Sequence, residues 1–333
     1  VKFLVTGATG FVGRHLVQAL EGAGHEVIGL SRSGGRDILD RAGLREAAGG
    51  CDGAFHCAGK VSRRPQDAAE LYRVHVEGTK AVIDACAEAH VKRVVIVSTS
   101  GTCAVSETGE RAGTEDDPPP IGIIGQWPYY RAKLFAEQAA LERSGSDIEV
   151  VSVNPSLVLG PGDVNGSSTD DVRRIVEGSV PFVPVGGVSF VDVRDTADAL
   201  VRAMERGRAG ERYLIGACNL TLRELFGRIA RIAGVEPPWI ALPRSREFAR
   251  VGIALVERFA ARVGFTPPAD VTSIDMAQCF WYVDSSKAER ELAWHARDPN
   301  TTLYDTVDDL RARGVVWPSP TDSGARGAGA SAH

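Results

Sequence analysis

The sequence predicts an α/β fold in which a doubly wound parallel sheet is followed by a smaller C-terminal lobe. Three observations carry this. Short β-branched runs alternate with longer amphipathic stretches through the first half, a glycine-rich turn joins the first run to the first helical pattern, and the alternation stops after Pro155.

The elements follow in order. Strands are read at 2–6, 26–30, 53–56, 93–98 and 148–154, each a short apolar run bounded by turn residues. Between them, helices are read at about 11–23, 40–48, 67–89 and 129–144, where apolar residues recur at i, i+3 and i+4. Beyond Pro155, the segments Gly160 to Asp163, Val180 to Gly187 and Pro237 to Pro243 separate shorter helices near 194–206, 221–233 and 244–263. The nucleotide-type domain is therefore assigned to 1–155 with parts of 188–218, and the substrate-binding lobe to 156–187 and 219–317. The stretch 244–263 has an amphipathic pattern suited to packing over that lobe. Residues 319–333 carry too little apolar bulk to offset their ordering entropy and are expected to be disordered.

With 333 residues, 44% hydrophobic and 24% charged, the chain has ample material for a core. A net charge of -5 gives no footprint for nucleic acid, and no apolar stretch is long enough for membrane insertion. The six cysteines are scattered without a C-x-x-C pair, so free thiols and no metal site are expected. The apolar run opening at Val1 leaves no room for a signal peptide, and a cytoplasmic location is expected.

Directly after the first strand stands Thr6-Gly7-Ala8-Thr9-Gly10-Phe11-Val12-Gly13, followed by a helical run. Strand, glycine turn and helix together make a dinucleotide site. Gly7 permits the tight turn, Gly10 lets backbone N–H groups approach a pyrophosphate, and Gly13 lets helix and strand pack closely. Where a carboxylate would hold an NAD ribose at the end of the second strand, the chain has Ser31-Arg32-Ser33. A guanidinium there suits a 2'-phosphate, so NADP is expected over NAD. Asp37, beside Ile38, is read either as a partner of the adenine amino group or as a helix cap.

Pro128 opens a helix on which Tyr129 and Lys133 stand at i and i+4. An ammonium beside a phenol is expected to lower the phenol's pKa and fit it for proton transfer. The fourth strand ends at Ser98, and Ser100 follows at the carboxyl edge of the sheet, where open α/β sheets place their ligands. Other features invite weaker readings. Asp192, Asp195 and Asp198 suit helix capping, and Arg63 and Arg64 suit a solvated loop better than a substrate anion site. Segment 101–127, with Trp127, and the lobe around 159–170 and 183–190 are expected to set the substrate.

The glycine turn, Asp37-Ile38, His56-Cys57-Ala58-Gly59, Val76-Glu77-Gly78-Thr79, Ser100, Tyr129 with Lys133, Asn154-Pro155-Ser156 and Val191 to Asp195 together resemble the extended short-chain dehydrogenase/reductase superfamily. Within it, the likeness is to the dihydroflavonol reductase-like and NAD-dependent epimerase/dehydratase branch, over about residues 2–317. The resemblance implies a Rossmann sheet with Tyr129 as acid/base, Lys133 tuning it and holding the nicotinamide ribose, and Ser100 polarising the substrate oxygen. It also implies a cofactor lined by Gly7, Thr9, Gly10, Phe11, Val12, Gly13, Ser31, Arg32, Asp37, Ile38, Cys57, Ala58, Gly59, Ser98, Pro155 and Ser156, and a homodimer through helices 67–89 and 129–144. Two positions depart from the family: His75 stands where Asn is usual, and Ala132 where Ser is usual.

The expected reaction is NADP-dependent reduction of a small-molecule ketone or aldehyde, or the reverse oxidation of an alcohol. A nucleotide-sugar epimerase with retained NAD is the alternative. A dehydratase is disfavoured because Gly101-Thr102 stands where its acidic residues would be. A non-catalytic cofactor sensor is disfavoured by the joint presence of Tyr129 and Lys133.

Overall fold

In the computed structural model, which describes residues 1–35, 37–243 and 271–316, the parallel strands form where the sequence places them. They are β1 (Lys2–Thr6), β2 (Glu26–Leu30), β3 (Gly53–His56), β4 (Arg93–Val97) and β5 (Glu149–Pro155). The expected helix at 244–263 and tail at 319–333 lie outside the described residues.

After Pro155 the chain adds β6 (Leu157–Leu159), β7 (Phe182–Val183), β8 (Gly187–Asp192), β9 (Arg212–Ile215), β10 (Cys218–Thr221), β11 (Ile240–Ala241) and β12 (Phe280–Trp281), of which β9, not read as a strand from the sequence, joins the main sheet. The main sheet runs β2-β1-β3-β4-β5-β9, with every pairing parallel. Its central strands are apolar throughout because helices cover both faces; Val94, Val95, Val150 and Val151 are fully buried. The strand order reverses between β1 and β3, so the segments leaving them diverge at a crevice on the carboxyl edge. β8 joins a second sheet with β10, β12 and β6, while the helix after it returns to the main sheet.

The described helices are α1 (Phe11–Gly22), α2 (Arg41–Ala48), α3 (Ala68–Tyr72), α4 (Gly78–Glu88), α5 (Ile121–Ile124), α6 (Pro128–Glu142), α7 (Asp170–Val176), α8 (Val193–Arg206), α9 (Leu222–Ala233), α10 (Val271–Ala277), α11 (Ser286–Leu292) and α12 (Pro299–Ala312). α1 and α8 cover one face of the sheet, and α2, α4 and α6 the other. Local signals set several of their ends. Asp40 caps α2, Asp192 caps α8 through Arg194 N–H at 2.8 Å, and α9 opens with a Thr221/Glu224 capping box.

The helix read as continuous over 67–89 is instead divided. A π turn at Arg73–Glu77 separates α3 from α4. The extra residue in that turn brings His75 inward to 3% exposure, while Gly78 lies so close to Ile38 that a Cβ would meet its Cδ1 at 2.5 Å.

Candidate active site

The crevice is a cavity of about 870 Å³ running from the glycine turn into the lobe. At its first end, Gly7 has φ +71°, and a Cβ on it would stand 2.6 Å from Ala58 N. A Cβ on Gly13 would stand 2.1 Å from the Gly7 carbonyl oxygen. These two glycines hold β1, β3 and α1 at backbone contact. Gly10 caps α1 without any side-chain bond, and the first turn carries no acidic residue. Its unsatisfied N–H groups and positive dipole end therefore border the cavity through Gly10, Phe11, Val12 and Gly13. That is a cradle for a phosphate.

The chemistry-bearing side chains come together at mid-cavity. Tyr129 and Lys133 share a face of α6, and Ser100 opens a short turn after β4. The Ser100 hydroxyl has no hydrogen bond to the described residues. Lys133 Nζ donates to the Val97 carbonyl at 2.6 Å. Burial lowers the lysine to about 8, with Glu137 and Cys57 acting in the opposite direction. The Tyr129 phenol is raised by burial first and by Tyr130 second. This corrects the expectation of a lowered phenol: the ammonium is turned to the Val97 carbonyl, and the apolar surroundings disfavour phenolate.

His75 takes up the position where the family has Asn. Its Nε2 meets the Lys60 carbonyl at 2.8 Å, and its ring stands edge-on to Tyr129 with centroids 5.6 Å apart. Burial pushes it down to about 3, so it is a neutral imidazole near pH 7. His56 is held likewise near 3 between Thr6 Oγ1 at 2.7 Å and Thr79 Oγ1 at 3.0 Å.

Of the expected site residues, Cys57, Ala58, Gly59, Ser98, Ser100, Tyr129, Lys133, Pro155 and Ser156 line the cavity together with the N-terminal turn of α1. The others stand around it. Gly7 lies beneath the turn, and the Thr9 carbonyl accepts from Arg14 at 3.3 Å. Ala8 N–H donates to the Leu30 carbonyl at 3.2 Å, fixing the end of β2 beside the turn. There the Ser31 hydroxyl accepts from Gly34 N–H, and Arg32 is exposed with no partner among the described residues. Asp37 accepts from Leu39 N–H at 3.0 Å within the loop, the cap of α2 being Asp40 and not Asp37, and Ile38 packs on Gly78.

Beside Trp127, expected from the sequence on the substrate side, several contributors went unseen in it. Tyr130 and Trp281 stack with ring centroids 4.8 Å apart, and Trp127 closes the group at 5.7 Å from Trp281. A Cβ on Gly101 would stand 2.3 Å from the Tyr130 ring. Arg63, read as a solvated residue, spans to Asp171 on α7 at 2.7 Å and to Ser273 at 3.3 Å. Arg64 turns back to Asp67. The lobe side of the cavity is mixed: Val158, Ile175, Phe182, Leu225 and Met276 are apolar, and Arg63, Asn165, Ser167, Asp171 and Arg174 are polar or charged. The run Phe280-Trp281-Tyr282 was the one sequence signal that could have pointed to this side.

Comparison with known proteins agrees with this architecture. Residues 3–216 match the NAD dependent epimerase/dehydratase family. The chain is 30% identical to a putative dihydroflavonol 4-reductase of Synechocystis sp., over 94% of this chain and 96% of the relative. It is also 30% identical to sterol demethylase protein B of Methylococcus capsulatus, over 94% and 99%. A solved nucleoside-diphosphate-sugar epimerase from Pseudomonas aeruginosa superposes with TM-score 0.75 at 25% identity, covering 94% of this chain and 98% of that one. The chain belongs to the NAD dependent epimerase/dehydratase family, within the extended short-chain dehydrogenase/reductase superfamily. It is an NAD(P)-dependent oxidoreductase-type enzyme. Among the described residues, no helix is long and apolar enough to cross a membrane.

Proposed function

We propose that this enzyme is an NADP-dependent reductase of bulky apolar or aromatic ketones and aldehydes, with Tyr129 as acid/base. The observation that carries the reading is a single cavity with a phosphate cradle at one end, Ser100, Tyr129 and Lys133 at its middle and aromatic and aliphatic walls beyond. The uncapped start of α1 fits the pyrophosphate of a dinucleotide, and the exposed Arg32 guanidinium fits a 2'-phosphate.

When bound, the nicotinamide supplies the hydride to the carbonyl carbon. The rest falls to the chain. The Ser100 hydroxyl donates to the substrate oxygen, and Tyr129 Oη gives that oxygen its proton. Burial keeps this phenol protonated and able to donate, while its raised pKa makes it a weaker acid than one tuned to neutral pH. Lys133, kept on the Val97 carbonyl, holds a positive charge at the base of the site.

Two observations weigh against the dehydratase reaction of this family. A dehydratase's acidic residue at position 101 would collide with Tyr130, and Thr102 spends its hydroxyl on Glu137 at 2.9 Å. The relatives named for a flavonol reductase and a sterol enzyme point the same way. The enzyme is further read as a homodimer through α3, α4 and α6, where Tyr72 and Phe135 are exposed at 47% and 44%.

The test is to identify any cofactor carried through purification, then titrate NADPH and NADH into cofactor-free protein, followed by a screen of aromatic ketones and aldehydes. Tight NADPH with weak NADH supports the reading. Stoichiometric retained NAD overturns it in favour of an epimerase.

A further inference from the structure

We propose that Glu137 is a positioning residue, whose buried carboxylate fastens the turn carrying Ser100 to the helix carrying Tyr129 and Lys133. The inference rests on the reductase reading above. Glu137 sits on α6 at i+4 from Lys133 and i+8 from Tyr129, so all three share one face. Its side chain is 1% exposed. A carboxylate so deeply buried is tolerated only where donors surround it.

The partners come from three separate segments: the Ser98–Thr102 turn, β5 and β9. Ser98 Oγ, at the end of β4, makes a short hydrogen bond to Oε2. Thr102 Oγ1 reaches the same oxygen at 2.9 Å, and Asn154 Nδ2, on β5, at 2.7 Å. Arg212 Nε, on β9, pairs with Oε1 at 3.2 Å. Ser98 and Thr102 flank Ser100 by two residues on either side, and Asn154 immediately precedes the cavity-lining Pro155 and Ser156. One carboxylate thus ties the Ser100 turn, α6 and the strand leading to Pro155 and Ser156 to one another.

Asn154 reinforces the same knot. Its Nδ2 also reaches Thr102 Oγ1 at 3.0 Å, and its Oδ1 accepts from Ser152 at 2.7 Å. Oε2 accepts three hydrogen bonds and Oε1 is held by the ion pair alone, so removing the charge leaves Arg212 facing an amide. The Glu137 charge also opposes the burial that draws down Lys133.

The experiment compares wild type, Glu137→Gln and Tyr129→Phe as full chains. Hydrogen–deuterium exchange is read with and without NADPH, and NADPH oxidation is followed on an aromatic ketone or aldehyde that wild type reduces. In Glu137→Gln, exchange across 98–104 is expected to rise about tenfold, while peptides from β1 and β2 keep wild-type protection. Turnover is expected to fall about 10- to 100-fold with KM changed less than about threefold, as misplacement by a fraction of an ångström would cause.

Wild-type exchange over 98–104 overturns the proposal, as does a kcat within twofold of wild type. A Tyr129→Phe enzyme with full turnover overturns the reductase reading instead, and exchange then judges Glu137 alone. The same holds if wild type reduces no member of the screen. Should Glu137→Gln fail to fold, Thr102→Val and Ser98→Ala each remove one donor, and the same local loosening is expected from both.

Discussion

The two ends of the cavity are built on opposite plans. The cofactor end is made by backbone: Gly7 and Gly13 stand at distances where no side chain fits, and the groups facing a ligand are N–H groups of one helix start. The substrate end is made by side chains from distant segments, with Tyr130 on α6, Trp281 on β12, Asp171 on α7 and Arg63 on the loop after β3. The difference teaches that the first end recognises what all its ligands share, while the second can be rebuilt by exchanging a few rings. Substitutions should accordingly separate, with one group affecting nucleotide affinity and the other affecting substrate.

Tyr129→Phe, at the junction, gives the largest expected effect. Turnover falls by about 10²–10⁴-fold, the range for a lost general acid, while NADPH affinity stays close to wild type. A matching loss of cofactor affinity, measured by fluorescence titration, would break the separation. Full activity would instead make Tyr130 the acid/base candidate.

Gly13→Ala comes next. Overpacking costs about 1–3 kcal/mol, and here it falls on the phosphate cradle, so NADPH affinity drops about 10- to 100-fold. Gly101→Asp is the counterpart at the other end. It displaces the Tyr130 ring, so kcat/KM for an aromatic carbonyl falls about tenfold while NADPH titrates as in wild type. A nucleotide defect in this variant would show the two ends to be coupled.

Arg32→Ala sharpens the nucleotide half alone. Loss of a solvent-exposed ionic contact weakens NADPH about two- to fivefold and leaves NADH unchanged. Equal losses for both would remove the basis for NADP selectivity.

The smallest effect is on pH dependence. His56 and His75 are held down to about 3 by burial, against about 6.5 in an unfolded chain. The unfolded state therefore binds more protons than the folded state between those values. The stability this contributes is complete above about pH 6.5 and is lost as pH falls toward 3. His75→Asn should flatten the fall in Tm between about pH 6.5 and 4 by one proton's share, checked by thermal melts. An unchanged slope would mean that His75 is not buried as a neutral ring.

Much of the cofactor end was legible because its signals are local. The five parallel strands, the glycine turn, the start of α6 at Pro128 and the cap at Asp192 follow from residue types within a few positions of each other. Elsewhere, single residues misled. Glu137 reads as a surface helix glutamate because nothing within a turn of it shows that Ser98, Asn154 and Arg212 will surround it. Arg63 reads as solvated because Asp171 lies 108 positions away. The π turn at 73–77 carries no residue signature, and its extra residue changes which side chains face inward.

By itself, then, the sequence determined five of the six strands of the main sheet, the glycine turn and the pairing of Tyr129 with Lys133 on one helix face, all set by backbone sterics and short-range periodicity. Only the tertiary structure decided the protonation balance and the substrate wall. Burial, which no local pattern encodes, holds the Tyr129 phenol protonated and draws Lys133 down to about 8, and chain segments far apart in sequence meet to form the aromatic slot.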